Sequence, residues 1–295
     1  MYRFLLFFLT LSHFVTAQTD TIPFVLTEYN NIYVEAIING QDTAKLMFHT
    51  DADAVGVTEK AAEHFSSLKG WKESEAGSWG GGGTISKSQN NTVQIGNVTL
   101  TEQPIWKSRN SGHGTDGKFG FHFFEDKIIE LDYEHNEMII HTKLPALSTD
   151  FQQLKLTLDE RETLFIEGIS TIEKDTFGQK FMIHSGYSGT ILYNDAFANE
   201  QGLDSVLVTI KEQELKDAFG NIIKTKKAML PHFKLGETAF ENLPVGFFVG
   251  PAGRQPINVM GADLLKRFNV IFDLANGHIY LKKNGLMEGN YFGMG

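Results

Sequence analysis

The chain contains no cysteine. That excludes disulfides, a thiolate nucleophile and a thiolate-held metal, so any metal falls to His, Asp or Glu. Basic residues are also few: 26 Lys and Arg stand against 36 Asp and Glu, for a formal charge of -10. An acidic surface gives no electrostatic footing to nucleic acid or an anionic membrane, and neither is expected as a partner. Long apolar runs are missing too. The one candidate, residues 4–15, is too short to span a bilayer; Arg3 precedes it and Val15-Thr16-Ala17 follows. A basic start, an apolar middle and a small-x-small end read as a signal peptide over 1–17. A mature chain from Gln18 is therefore expected, secreted to the periplasm or the exterior as a monomer. No cysteine follows Ala17 to carry a lipid.

What the chain does have is 41% hydrophobic residues and 24 Phe, enough for one large core or two of ordinary domain size. It also repeats itself. Gln94-Ile95-Gly96 with Pro104-Ile105 returns as Lys234-Leu235-Gly236 with Pro244-Val245. Residues 119–124 return as 260–265, and the strand-turn-strand pattern ending at Asp132 and 138–140 returns around Asp273 and 278–281. Ahead of these, Leu46-Met47-Phe48-His49-Thr50 matches Phe181-Met182-Ile183-His184-Ser185. Three motifs in one order, about 140 residues apart, define two homologous halves at 24–146 and 147–284, with residues 144–150 as connector. A flexible tail is expected over 285–295. Within each half, short β-branched and aromatic runs separated by Gly, Asn and Asp predict a mostly β lobe. Short helices are predicted at 59–65, capped by Thr58, and at 262–268.

With Val259-Met260-Gly261 and Lys118-Phe119-Gly120 set beside the strands that end at His49 and His184, the sequence resembles the retropepsin and pepsin superfamily in its bacterial two-lobed form. The resemblance covers nearly all of the mature chain. It implies the acid-protease fold, two six-stranded-type β lobes, each carrying an apolar strand that ends in Asp-Thr/Ser-Gly, a flap hairpin, and an apolar-apolar-Gly segment beside the turn. The flap is expected near Trp79 and Gly80, Gly81, Gly82 and Gly83. That glycine run reads equally as a plain surface loop.

The departures from the family pattern bear on function. In place of the first motif stands His49-Thr50-Asp51-Ala52-Asp53, and in place of the second His184-Ser185-Gly186-Tyr187-Ser188. The family's chemistry uses two carboxylates that share a proton, and two imidazoles do not reproduce it. Thr50 and Ser185 keep the hydroxyls that the resemblance places across the lobe interface. By the same carry-over Asp53 accepts a hydrogen bond from His49, while Asp51 replaces a close-approach glycine.

Three readings of the His pair follow, besides that of a structural relic. One is a binding module holding a peptide or polysaccharide in the interlobe cleft. Another is a metal site, zinc for instance, on His49 and His184 with Asp51 or Asp53, although no local His spacing supports it. The last is an enzyme using His49 and His184 as base and acid, with Tyr187 assisting. His122 is expected to cap a short helix, and His113 to lie in a polar loop. His64, His135, His141, His232 and His278 read as surface or strand residues. The sequons at Asn90 and Asn97 mark polar turns.

Overall fold

The computed structural model describes residues 19–78, 81–216, 222–248 and 257–294. The expected signal peptide and Trp79 lie outside the described residues.

Each half folds into a β sheet of eight strands with the same internal order. In the first lobe the order is Val25–Leu26, Ile32–Ile38, Asp42–Phe48, Gly117–Phe119, Val55–Thr58, Val98–Ser108, Gly81–Ile95 and Lys72–Ser78. Ile32–Ile38 also pairs with Gly81–Ile95, which closes the sheet on itself. The second lobe repeats this with Thr157–Leu158, Leu164–Ile172, Asp175–His184, Asn258–Gly261, Ile191–Tyr193, Thr238–Phe248, Ile222–Leu235 and Val208–Lys216. Pairing of Leu164–Ile172 with Ile222–Leu235 closes it. The alternation read from sequence explains the arrangement: Ile32, Val34, Ala36 and Ile38 are buried, whereas Glu35 and Ile37 face outward. The result is a mostly β molecule of two closed barrel lobes, as the sequence predicts.

A third sheet, of six strands, joins the lobes. At its centre Ile128–Asp132 of one lobe runs antiparallel to Phe268–Asp273 of the other, with Ile129 opposite Phe272 and Leu131 opposite Val270. All four of these side chains are buried, so the seam is apolar core.

Helices are few and short. Glu59–His64 is capped by the Thr58 hydroxyl, which accepts from the Ala61 N–H at 3.1 Å, as expected. The second predicted helix is shorter than expected, Ala262–Leu265. Asp195–Glu200, capped by Asn194, and Leu203–Val206 are helices that the sequence reading does not include. His122 does not cap its one-turn helix Phe121–Phe124: Gly120 holds the cap position, without a side-chain bond.

The expected flexible tail is instead tied down. Arg267, fully buried, donates from Nη1 to the carbonyls of Leu286, Met287 and Gly289 and lies over the Tyr291 ring at 4.0 Å. The Phe292 N–H reaches Asp263 Oδ2 at 2.7 Å, and Lys227 Nζ donates to the Phe292 carbonyl. A buried guanidinium needs several acceptors: Asp263 supplies its carbonyl and a carboxylate oxygen, and the tail carbonyls supply the rest.

Candidate functional site

Two turns meet at the lobe interface. Strand Asp42–Phe48 delivers the first, His49 to Asp53, and strand Asp175–His184 delivers the second. Each turn is backed by a threaded segment whose glycine touches turn backbone. A Cβ on Gly120 would fall 1.9 Å from the Ala52 carbonyl oxygen, and one on Gly261 would fall 2.3 Å from that of Gly189. No side chain is compatible with either approach. Those glycines, inferred from the repeat, hold both turns rigid.

Thr50 and Ser185 then lock the turns together. The Thr50 hydroxyl donates to the Ile183 carbonyl at 2.6 Å and accepts from the Ser185 N–H at 3.1 Å. In the mirror arrangement, the Ser185 hydroxyl donates to the Phe48 carbonyl at 2.7 Å and accepts from the Thr50 N–H at 3.0 Å. Asn31 adds a bond from its amide to the Ser185 carbonyl, and Asn30 one to that of Ser188, both at 2.7 Å. Lys266 from the second lobe returns a bond to Asn30 Oδ1. Sequence reasoning missed the two asparagines, whose only local signal is that of a turn.

The histidines lie against each other, ring centroids 4.6 Å apart and planes at 73°. The Asp51 N–H donates to His49 Nδ1 at 3.2 Å, which leaves the proton of the neutral ring on Nε2. This contact replaces the expected one: Asp53 is exposed, and among the described residues it makes no bond to His49. Asp51 turns toward the other lobe, where the Thr163 hydroxyl donates to its Oδ1 at 3.4 Å. Gly186 occupies the remaining edge, since a Cβ there would sit 2.6 Å from His49 Nε2 and 3.0 Å from His184 Cε1. His184 Nδ1 is buried with no hydrogen-bond partner among the described residues.

Electrostatics act on both rings in one direction. Burial, then the Lys118 charge, then His184 hold His49 well below the usual imidazole range. Burial and Lys118 bring His184 down to about 4. Lys118 is itself lowered by burial, against the opposing pull of Asp51 and Asp53. Burial raises Asp51, with Thr163 and Lys118 pulling it back.

Tyr187 does not join the pair. Its ring packs with Met182, Leu192, Phe248 and Val259, and its hydroxyl lies against Gly189 and Gly246. Among the described residues no group of three or more His, Asp or Glu is placed to hold a metal ion. Gly81 and Gly82 lie in a hairpin, opposite Ser78 and Gly77, where a flap was expected.

No protein-family model and no curated protein matches the chain by sequence. Among solved structures, the crystal structure of an aspartic proteinase from Irpex lacteus superimposes with a TM-score of 0.60 over 92% of this chain and 99% of that one. The two sequences are 14% identical, so the likeness is one of fold. The architecture is accordingly that of the pepsin-like aspartic peptidases.

Proposed function

We propose that the protein is a secreted, aspartic-peptidase-like scaffold that binds an extended peptide or glycan between its lobes, with His49 and His184 standing where that architecture carries its two catalytic aspartates. The observation that carries this reading is that the two imidazoles meet at 4.6 Å on locked turns, with no carboxylate bonded to either among the described residues. Division into acid and base needs titrating groups whose environments push their pKa values apart. Here burial and Lys118 push both down together. Two neutral imidazoles offer ring N–H donors and an unoccupied acceptor, suited to carbonyls, amides and hydroxyls. They supply no carboxylate to activate water.

The hairpin of Lys72–Ser78 and Gly81–Ile95 supports the same reading. Lys72–Ser78 is an edge strand, and an exposed edge takes an extended ligand by main-chain pairing. Acid–base hydrolysis by the His pair is the second reading, favoured only by the fixed tautomer of His49.

The test is incubation of the mature protein with casein and mixed oligosaccharides between pH 3 and pH 8, scoring cleavage by mass spectrometry and retention by pull-down. Retention without cleavage is expected. Turnover at acid pH that a statine-type inhibitor blocks would overturn the proposal.

A further inference from the structure

Lys118 has entered the arrangement so far only as a charge. Strand Gly117–Phe119 runs parallel to the strand that ends at His49, with Lys118 opposite Met47 and Phe119 opposite Phe48. The second lobe repeats this register with Val259 opposite Met182, and Val259 is buried in an apolar cluster. The internal repeat therefore calls for an apolar side chain at position 118, and the chain has placed an ammonium there. Gly56 is its neighbour on the other side, and a Cβ there would be in ordinary contact with the lysine stem, 3.9 Å from Lys118 Cγ. The charge is felt by both histidines and by Asp51 and Asp53. Yet Lys118 Nζ makes no ion pair and no hydrogen bond among the described residues, and Asp51 and Asp53 act on it only through their charge.

The ammonium keeps contact with solvent and has no protein acceptor among the described residues, so its donors are completed by water or by an acceptor on a ligand. We propose that a carboxylate of the ligand completes them, and that the ligand is a peptide with one acidic side chain seated beside His49 and His184. This rests on the binding reading above and names its ligand class. A polyuronide fits less well, because the chain carries a formal charge of -10 and Asp51, Asp53 and Asp159 surround the turn. Those charges repel a row of carboxylates more than a single one offset by the ammonium.

The test uses a random-heptapeptide phage library panned on the mature protein, on Lys118→Met and on Lys118→Arg. Wild type is expected to enrich Asp or Glu at one position, with Lys118→Arg keeping that preference and Lys118→Met losing it. A selected peptide remade with Gln for its Glu is expected to bind about tenfold more weakly to wild type and equally well to Lys118→Met. Enrichment without an acidic position overturns the Lys118 proposal and leaves the binding reading standing. If nothing is enriched, or an oligogalacturonate binds in place of every peptide, the peptide assignment falls. Side-chain NMR of the histidines supplies a readout independent of any ligand. Lys118→Met should raise the titration of both His49 and His184, and no movement of either would overturn the placement of the charge.

Discussion

At the scale of single residues, the exchange of hydrogen bonds between Thr50 and Ser185 carries the site. Both side chains are buried, so removing either hydroxyl strands an N–H and a carbonyl. Thr50→Ala and Ser185→Ala are each expected to cost about 1–3 kcal/mol in denaturant unfolding. The double variant should cost less than the sum, because both hydroxyls brace the same pair of turns. The histidines set the behaviour in acid. A group whose folded pKa is depressed contributes stability that is present above its unfolded pKa and is lost as pH falls through the folded value. His184 moves from 6.5 to about 4, so its window runs between those values. Full loss across it is about 3 kcal/mol from His184 alone, with His49 adding in the same direction. Asp51, held above its ordinary value, acts oppositely at the lower end. Thermal unfolding at pH 7.5 and pH 4.5 is the check: His184→Gln should lose less stability between them than wild type. An equal loss would mean that the rings are not held neutral.

At the scale of elements, strands were more legible than helices. Alternation marks Ile32–Ile38 and Leu164–Ile172 because one face of each is core and the other is not. Asp195–Glu200 escaped notice because a single turn and a half carries too little periodicity to register, although Asn194 is a sound cap. The C-terminal segment was misread for a different reason. Its glycines suggest a loose tail, but its partner is a guanidinium some 20 residues away in sequence that no local pattern reveals. Deleting residues 285–295 should lower stability by about 3 kcal/mol, since Arg267 keeps Asp263 and loses its other acceptors. A calorimetric midpoint unchanged by the deletion would show that the segment does not contribute to the fold.

At the scale of the whole molecule, the two lobes are not independent. The six-stranded sheet takes strands from both, and its apolar seam at Ile129, Leu131, Val270 and Phe272 closes only when both are present. Such rigidity suits the binding proposed between the lobes, because locked turns present the His pair without reorganisation. The sequence by itself determined the repeat, the β character of each half, the turns at His49 and His184 and the glycines behind them. These are local patterns, or patterns shared by two copies, and each copy must bury the same face and make the same close approach. It also placed Thr50 and Ser185 correctly, through the family resemblance. Only the tertiary structure decided which group meets each imidazole. Asp51 and Asp53 are two residues apart and carry the same charge, so nothing in composition separates a backbone N–H that reaches His49 from a carboxylate that faces solvent. The same holds for Lys118, which reads as one polar residue in a strand until folding brings its charge to bear on two rings from different lobes. Burial and Coulomb interaction depend on what lies within a few ångströms, and the chain alone does not specify that distance.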